Sequence, residues 1–485
     1  MTWIKIRPDN LRSALAVALL GKLVLLLLLL VEHGVPVNGP WYFRNGDVEG
    51  YIGPIESLLR GDGYQPDHRM PGYGAPYLVL RLLMGQGASL QMMVLLQLSA
   101  SSLAVVLIAH LGSLLSNDPR VFRWTFWLAL ASTYASLYDR EIRPESFAVL
   151  ALVGAAQQAV LYFRTGSRTN VLLSGCALTW LIFMKPVYLP LLALLGLAIV
   201  LHKGAALRSR LLAVVVLGIP WLVVDGAWCL RNAVKHGEFR PLTDGMLYPD
   251  LRVSIRHPLL RLMQAYGTSF IWWDPSAEIR WFNIRQEENG QVQFPDRQPP
   301  LPDYVYTDAC PRDSLRAIAD DVARYNKTTD EGQREQLLAK VNADCDRCIA
   351  SFRTEHPFHY HVTARLRMLK TFLLHSGTST LMGRPMAQLD PVRIIVRASY
   401  SFLYLASFLL GSLWALRSLV HRGSSPGSRL CAALVLYGIT IFPFGVRMTE
   451  SRYSTTIYLL ALLLAILLVA DTWTRIRHLR RRPTS

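Results

Sequence analysis

Ten apolar stretches divide the chain, and they constrain its fold more than any other feature of the sequence. They cover residues 13–31, 90–115, 124–138, 146–162, 170–184, 187–201, 211–228, 394–416, 429–444 and 454–472. A helix needs about 20 residues to cross the hydrocarbon core of a bilayer, and several of these stretches are shorter. We therefore expect an all-α polytopic membrane protein with about ten transmembrane helices.

Basic residues between these stretches give the chain an orientation. The sequence has 51 Lys and Arg against 34 Asp and Glu, and the positive charges lie in short loops and near both ends. Short loops rich in Lys and Arg face the cytoplasm. We therefore expect both termini inside, with residues 32–88 and 229–393 outside. Because the cationic residues form no single basic face with interleaved aromatic residues, nucleic acid is not an expected partner.

The same pattern predicts three parts of the chain. Residues 1–228 form an N-terminal transmembrane module that carries the first external loop, 32–88. Residues 229–393 form an extracytoplasmic loop domain, and residues 394–485 supply the C-terminal transmembrane helices and a basic cytoplasmic tail. The charged residues that suit catalysis fall on the outer side, so the sequence favours an external site.

The loop domain has the composition of a water-soluble segment. Helical spacing of its charged and apolar residues predicts helices over 312–325 and 330–352. An apolar segment over 256–273 also has helical spacing. Two interpretations are open for it: a helix lying in the membrane interface, or a core helix of the external domain.

Three cysteines of the loop domain, Cys310, Cys345 and Cys348, predict a disulfide. An extracytoplasmic compartment permits such bonds. Cys345 and Cys348 also have the C-x-x-C spacing of redox and metal motifs, but no second pair accompanies them. We therefore expect Cys310 to pair with Cys345 or with Cys348.

Charged residues of the first external loop have the chemistry of a catalytic site. Asp47, Glu49 and Arg69 follow the first apolar stretch. A carboxylate can act as a general base, an effect worth about 10²–10⁴-fold in rate. A guanidinium group can hold a phosphate through charge-assisted hydrogen bonds. The alternatives are structural, because Asp47 also suits the N-cap of a following helix and Arg69 suits a membrane surface.

Residues 45–73, NGDVEGYIGPIESLLRGDGYQPDHRMPGY, resemble the first external loop of the GT-C glycosyltransferase superfamily. The similarity is to its dolichyl-phosphate-mannose–protein mannosyltransferase-like and aminoarabinose-transferase-like branch. The matching residues are Gly46, Asp47, Tyr51, Leu59, Gly61, Gly63, Tyr64, Arg69, Pro71, Gly72 and Tyr73. Gly74 stands where that family usually has proline. The resemblance implies a GT-C fold with about ten transmembrane helices and a large external loop domain.

Further short motifs resemble the same family. They are Arg143-Pro144-Glu145 in an outer turn, Lys185-Pro186 at a helix end, Arg231-Asn232 after the seventh stretch and Arg452-Tyr453 at the last one. The resemblance implies that Asp47 is the catalytic base. It assigns the donor phosphate to Arg69, Lys185 and Arg452, with Asp139 or Arg140 in support of the site wall. It assigns the substrate pocket to Glu49, Tyr51, Tyr73, Arg143, Glu145 and Arg231.

Structural alternatives stay open for these motifs. Lys185 also suits a lysine that extends to the lipid headgroups, and residues 139–145 also suit a solvated turn between two helices. Arg231 also suits a capping residue at a domain junction.

The resemblance implies an inverting glycosyltransferase that moves a sugar from a polyprenyl-phosphate donor to a hydroxyl or amine on the extracytoplasmic face. The acceptor would be a lipid, a glycan or a protein of the cell envelope. The expected location is the bacterial inner (plasma) membrane, with the site facing the periplasm or exterior. No metal-ligand motif is predicted, and a divalent cation stays open as a cofactor. The alternatives are a lipid-linked glycan transporter or flippase, and a non-catalytic scaffold with the GT-C fold.

Overall fold

Helices dominate the computed structural model of the chain. The structure describes residues 10–44, 47–65, 69–132, 136–237, 239–242, 255–267, 285–286, 292–293, 303–374, 381–382, 384, 386–447 and 449–480. Gly46 of the loop motif and residues 481–485 of the basic tail lie outside the described residues. The chain divides into two compact units. Unit 1 comprises Met1–Gly245, Ser376–Gly438 and Ser454–Ser485, and unit 2 comprises Met246–His375 and Ile439–Tyr453.

The described residues form sixteen α-helices. In chain order they are α1 (Leu11–Glu32), α2 (Val48–Leu59), α3 (Gly74–Leu83), α4 (Gln86–Ser116), α5 (Pro119–Ala131), α6 (Glu145–Thr165), α7 (Arg168–Met184), α8 (Pro190–Leu201), α9 (Leu207–His236), α10 (Arg256–Tyr266), α11 (Arg312–Lys327), α12 (Glu331–Glu355), α13 (Ala364–Leu374), α14 (Pro391–Val420), α15 (Pro426–Thr440) and α16 (Thr455–Arg480). Two π-helical turns, His359–Thr363 and Ile441–Val446, precede α13 and follow α15. Strands β1 (Arg285–Gln286) and β2 (Val292–Gln293) pair antiparallel.

Seven helices among the described residues are long and apolar enough to cross a membrane, by length and composition. They are α1, α4, α6, α9, α14, α15 extended by the turn that follows it, and α16. Three shorter apolar segments accompany them: Gly74–Leu83, Arg168–Met184 and Pro186–Leu201. The protein is therefore a helical, multi-pass membrane protein in class, as the apolar stretches predict.

The ten predicted stretches all overlap helices, but three of these helices are short. Helix α5 has 13 residues, α7 has 17 and α8 has 12. A crossing takes about 20 residues, so these three do not reach the length of a straight span.

Close helix crossings hold unit 1 together. Helix α16 is buried along residues 457–467 and packs against α4, α5, α6 and α14. Gly411 of α14 lies so near α16 that an added Cβ would come within 2.5 Å of the Ala461 carbonyl oxygen. Such small residues allow helix backbones to approach in membranes, where van der Waals packing drives association.

Unit 2 has a core of its own, built mainly from α10, α11 and α12. Helix α10 buries Leu259, Leu262, Met263 and Tyr266 in this core. This burial favours the core-helix interpretation of segment 256–273 over the membrane-interface interpretation. The last two tryptophans of that segment, Trp272 and Trp273, lie outside the described residues.

The predicted helices and disulfide of the loop domain are confirmed. The predicted segments 312–325 and 330–352 correspond to α11 and α12, and each helix ends two or three residues later than predicted. Cys310 forms a disulfide with Cys348. Cys345, the alternative partner, is a buried free thiol. Burial raises the pKa of the Cys345 thiol to about 12, because an apolar surrounding disfavours the thiolate.

Candidate functional site

The first loop, residues 32–88, and the turn 139–145 are joined by backbone hydrogen bonds. Phe43 and Glu141 form a parallel β-bridge. The Phe43 N–H donates to the Arg140 carbonyl at 2.8 Å, and the Ile142 N–H donates to the Phe43 carbonyl at 3.4 Å. The two segments that carry most of the predicted site residues therefore have a fixed register against each other.

Gln97 of α4 ties both segments to a transmembrane helix. Its Nε2 donates to the carbonyl oxygens of Asp139 at 2.9 Å and of Glu141 at 2.7 Å. Its Oε1 accepts from the Tyr73 hydroxyl at 2.7 Å. Burial, followed by the nearby Glu145 carboxylate, raises the pKa of Tyr73, so this hydroxyl keeps the proton that it donates. Gln97 thus forms hydrogen bonds to both the turn and the first loop.

A buried ion pair supports the start of the same turn. Lys22 Nζ of α1 lies 3.4 Å from Asp139 Oδ2, and the two side chains are 0% and 3% exposed. Lys22 also donates to Ser136 Oγ at 2.7 Å. Ser101 and Ser146 each donate to Asp139 at 2.7 Å. Since an ionised side chain within a membrane protein is costly unless it is paired, this network fixes the turn relative to α1, α4 and α6.

Asp47 sits between two arginines. It occupies the N-cap position of α2, yet its side chain makes no capping hydrogen bond to the described backbone. Instead, Asp47 Oδ1 accepts from Arg69 Nη2 at 3.0 Å, and Asp47 Oδ2 lies 3.4 Å from Arg143 Nη2. Arg69 also stacks over Tyr51, with 4.0 Å from its guanidinium carbon to the ring centroid. The carboxylate is therefore used for ion pairing rather than for a helix cap.

These ion pairs are mostly shielded from water. The exposed fractions of the side chains are 12% for Asp47, 18% for Arg69 and 15% for Arg143. Arg143 Nη1 also lies 3.1 Å from Glu141 Oε2. Charges interact more strongly where water is partly excluded. An anion entering this cluster would meet two guanidinium groups whose present partners are carboxylates.

Lys185 and Glu145 form a second pair at the ends of α7 and α6. Lys185 Nζ lies 3.2 Å from Glu145 Oε1 and 3.4 Å from Thr456 Oγ1. The Lys185 side chain is only 11% exposed and Glu145 is 1% exposed. This buried ion pair favours an internal role for Lys185 over the alternative in which the side chain extends to the lipid headgroups.

Aromatic rings pack beside the arginine–carboxylate cluster. The rings of Tyr51 and Tyr73 meet edge to face, with 5.4 Å between their centroids. Tyr73 contacts Phe147 at 5.9 Å, and Phe147 contacts Trp180 at 5.4 Å. These packed rings form a rigid apolar wall. The wall carries two of the predicted pocket residues, Tyr51 and Tyr73.

Gly72 is required where the loop crosses α7. Its N–H donates to the Phe183 carbonyl at 3.2 Å, and its own carbonyl accepts from Trp180 Nε1 at 3.0 Å. A Cβ at this position would lie 2.5 Å from the Phe183 carbonyl carbon. Only glycine permits this approach, and the approach sets the position of the loop that carries Arg69.

Helices α2 and α3 are joined by Glu56. Its Oε1 accepts from the Tyr77 hydroxyl at 2.5 Å and from Arg81 Nε at 2.9 Å. Burial acts to raise the pKa of Glu56, but the hydrogen bonds from Tyr77 and Arg81 outweigh burial and lower it. The contacts of Glu56 with Tyr77 and Arg81 hold the two short helices of the first loop together. They are distinct from the ion pairs of Asp47.

Arg231 of α9 reaches the first loop through Tyr64. Its Nη2 donates to the Tyr64 carbonyl at 3.1 Å, and its guanidinium lies 4.7 Å from the Trp228 ring. The Tyr64 hydroxyl donates to the Arg69 carbonyl at 3.0 Å. The described contacts of Arg231 thus support the backbone that carries Arg69.

For two other predicted site residues, the described ion pairs are with residues nearby in the sequence. Glu49 pairs with Arg44 at 2.6 Å, and the two side chains are 69% and 44% exposed. Its pocket role stays a prediction. Arg452 belongs to unit 2, where its Nε donates to the buried Glu450. Its phosphate role also stays a prediction.

Arg140 differs from the other cations of the turn. It is 4% exposed, and among the described residues its Nε and Nη1 have no hydrogen-bond partner. Its guanidinium carbon lies 5.9 Å from the centroid of the Phe43 ring. Burial lowers the pKa of Arg140, and the Glu141 carboxylate opposes this effect. Arg140 is therefore a buried cation held by its backbone and one ring.

Sequence reasoning missed Lys22 and Gln97. A single lysine inside the first apolar stretch and a glutamine inside the second were available signals, because buried polar side chains in membrane helices are usually paired. Their partner turn lies 117 residues beyond Lys22, so spacing alone does not reveal the contact.

Comparisons with family models, curated proteins and solved structures give no match to this chain. In the described part of the chain, no group of three or more His, Cys, Asp or Glu residues is arranged to hold a metal ion.

Proposed function

We propose that this protein is an inverting GT-C glycosyltransferase of the bacterial inner membrane, which transfers a sugar from a polyprenyl phosphate to a hydroxyl or amine at the outer face. In this proposal the ten crossings are the seven candidate spans and three crossings in which the short helices α5, α7 and α8 would be lengthened by flanking residues. The observation that carries the proposal is Asp47 held between Arg69 and Arg143. This arrangement places a carboxylate that can accept a proton beside two guanidinium groups that can bind phosphate. All three side chains are mostly shielded from water.

The proposed reaction exchanges one bond at the anomeric carbon for another. The acceptor oxygen or nitrogen attacks that carbon from the face opposite the phosphate. The bond from the anomeric carbon to the phosphate oxygen breaks, and polyprenyl phosphate leaves with the electron pair. Asp47 takes the proton from the acceptor, a contribution of about 10²–10⁴-fold. One displacement of this kind inverts the configuration of the sugar.

The donor phosphate would compete with Asp47 for the two arginines. Arg69 donates a hydrogen bond to Asp47 and Arg143 forms an ion pair with it, and a phosphate offers oxygen acceptors that suit guanidinium groups. Transfer of one guanidinium to the phosphate would leave the carboxylate available for the acceptor proton. Donor binding would then both hold the leaving group and release the base.

Neighbouring groups complete the proposed site. The Lys185–Glu145 pair would supply a further cation for the phosphate and a carboxylate for sugar hydroxyls. Tyr51 and Tyr73 would form the pocket wall. Arg231 would act through Tyr64 to hold the loop in place. The hydrophobic polyprenyl chain would remain in the bilayer, so no nucleotide-binding motif is needed.

The test is turnover of labelled donors by the purified protein in liposomes. Radiolabelled polyprenyl-phosphate sugars of several kinds are incubated with the protein, and polyprenyl phosphate and released or transferred sugar are scored. We expect cleavage of at least one donor, with inverted configuration in the product. A transporter would move the intact donor across the bilayer without cleavage, and that result would replace the proposal with the flippase alternative. Neither cleavage nor movement would favour a non-catalytic scaffold.

A further inference from the structure

Helices α6, α7, α8 and α9 carry only positive charge at their ends farthest from Glu145. Residues 146–224, which include most of these four helices, contain no Asp or Glu. The cations at these ends, called here the basic cluster, are Arg164, Arg168, Lys203, Arg208 and Arg210. No ion pair with a described carboxylate involves any of the five. A helix rises about 1.5 Å per residue, so α6 separates Tyr162 at this end from Glu145 by about 25 Å.

Aromatic and backbone contacts hold the ends of three of these helices together. Tyr162 and Phe163 of α6 contact the ring of His202, the residue after α8, with 6.5 and 5.1 Å between ring centroids. Arg210 of α9 donates from Nη1 to the carbonyl oxygen of Val200, in the last turn of α8. The Tyr162 ring and the Arg210 guanidinium are therefore both fixed against the C-terminal end of α8.

Two shielded hydrogen-bond donors at this place have no acceptor in the described part of the chain. One is Nε of Arg210, which is buried. The other is the hydroxyl of Tyr162, a residue only 4% exposed. The positive charges of Arg168 and Arg210 both act on this hydroxyl. Because a shielded donor without an acceptor destabilises the folded protein, an anion that brings oxygen acceptors would be bound favourably here.

The general excess of Lys and Arg in cytoplasmic loops does not explain the position of Arg210. That excess predicts these helix ends on the cytoplasmic side, where an arginine keeps its charged group in water. Arg210 instead turns its guanidinium toward the end of α8. Capping of the Val200 carbonyl accounts for Nη1 but leaves Nε buried without an acceptor.

Exposed apolar side chains lie beside the basic cluster. Four exposed leucines are within four residues of one of its cations: Leu172, Leu201, Leu207 and Leu211. A free phosphate ion would use only the cations, whereas a phospholipid would also cover the leucines with its acyl chains. The cytoplasmic leaflet contains anionic phospholipids, which attract Lys and Arg at the membrane surface. Charge and apolar surface together therefore favour a lipid over a free ion.

We propose that Tyr162, Arg168 and Arg210 bind the headgroup phosphate of an anionic phospholipid of the cytoplasmic leaflet. The phosphodiester oxygens accept hydrogen bonds from Arg210 Nε, the Tyr162 hydroxyl and the Arg168 guanidinium, and guanidinium groups suit such oxygens. The acyl chains lie along the exposed leucines. This lipid site is separate from the cluster around Asp47 and does not depend on sugar transfer.

The test measures lipid binding by the delipidated full-length protein in detergent. The probes are phosphatidylglycerol, phosphatidylcholine with the same acyl chains and inorganic phosphate, and the readouts are the dissociation constant from native mass spectrometry and the thermal midpoint. The variants are Tyr162→Phe, Arg168→Met and Arg210→Met. The control is Arg123→Met, which removes an exposed arginine of α5 that is predicted on the same side of the membrane.

We expect wild type to bind phosphatidylglycerol about 10-fold or more tightly than phosphatidylcholine, since only the first has a net negative charge. Arg210→Met should weaken phosphatidylglycerol binding by about 10-fold or more, as loss of a hydrogen bond to a charged group does, and Tyr162→Phe by about 3- to 10-fold. Arg168→Met should weaken it by about 5-fold, and Arg123→Met should leave it unchanged. Phosphatidylglycerol should also raise the thermal midpoint of wild type.

Three results would overturn the lipid site. Equal weakening by Arg123→Met and Arg168→Met would show general attraction to the surface instead of a site. Equal affinity for phosphatidylglycerol and phosphatidylcholine would remove the anionic lipid, and binding of inorganic phosphate alone would replace it with a free ion. Arg210→Met also loses the bond to Val200, so Tyr162→Phe and Arg168→Met decide the matter if that variant does not fold. Normal binding in both would overturn the proposal.

Discussion

Removal of the Lys22 ammonium group should destabilise the protein strongly, because Lys22 is the cationic partner of a buried carboxylate. Lys22 and Asp139 lie 3.4 Å apart and are 0% and 3% exposed. Breaking one side of a buried ion pair costs about 3–5 kcal/mol, since an uncompensated charge remains. We expect Lys22→Met at the lower end, about 3 kcal/mol, because Ser101 and Ser146 still donate to Asp139.

The assay is the thermal midpoint of the purified protein in one detergent. A change of 1 kcal/mol shifts the midpoint by about 2–4 °C in a domain of 150–250 residues, so a loss of about 3 kcal/mol in Lys22→Met should lower it by roughly 6–12 °C. The double variant Lys22→Met/Asp139→Asn should recover most of this loss, because both charges are gone and the serines can still hydrogen-bond to the amide.

A matched pair on the surface provides the control. Arg60 and Asp62 lie 3.1 Å apart but are 64% and 60% exposed, so Arg60→Met should change stability by less than about 1 kcal/mol. A midpoint of Lys22→Met within 1 °C of wild type would refute the reasoning. A double variant as unstable as the sum of its single changes would refute it too.

Four further outcomes follow from the described geometry. Arg69→Ala should lower turnover by roughly 10²-fold, as loss of one preorganised donor to a developing anion does, and Arg69→Lys should recover only part because the planar fork is lost. Gly72→Ala should cost about 1–3 kcal/mol by overpacking, seen as a lower thermal midpoint. Mass spectrometry of non-reduced peptides should link Cys310 to Cys348. Cys345 should resist alkylation at pH 8 until the protein is unfolded, because burial raises its pKa to about 12 and the reactive thiolate is scarce below that pH.

Controls for these outcomes come from the same chain. Arg60→Ala removes an exposed arginine of the first loop and should keep turnover. Gly53→Ala adds a Cβ inside α2 where nothing lies within 4 Å, so it should be neutral or slightly stabilising. Normal rates in both Arg69 variants would remove Arg69 from the site. A Cys310–Cys345 linkage would contradict the described disulfide.

The membrane class and the helices of the loop domain could be predicted because local patterns determine them. Apolar length marks α1 and α4, and alternating charge at helical spacing marks α11 and α12. The short helices α5, α7 and α8 show the limit of this approach, since apolar length alone does not tell a full crossing from a partial one.

The candidate site could be predicted only in part. Asp47 and Arg69 lie in one loop of the sequence, which predicts a common role. In the structure the two side chains lie 3.0 Å apart. The partners of Lys22 and the unmatched state of Arg140 depend on contacts between distant segments, which no spacing rule encodes. Glu49 lies only two residues from Asp47 in the sequence, but it is exposed and pairs with Arg44. Residues two apart on a helix point in different directions.

Donor cleavage by Asp47→Asn tests the central claim most directly. Asparagine keeps the shape of the side chain and loses its basicity, and the exposed Asp62→Asn of the same loop is the matched control. The measurement is a single turnover of labelled polyprenyl-phosphate sugar and acceptor on liposomes, with donor binding measured separately. We predict that Asp47→Asn binds the donor and loses turnover by about 10²-fold or more, while Asp62→Asn retains it. Turnover of Asp47→Asn near the wild-type rate would contradict the role of Asp47 as the base.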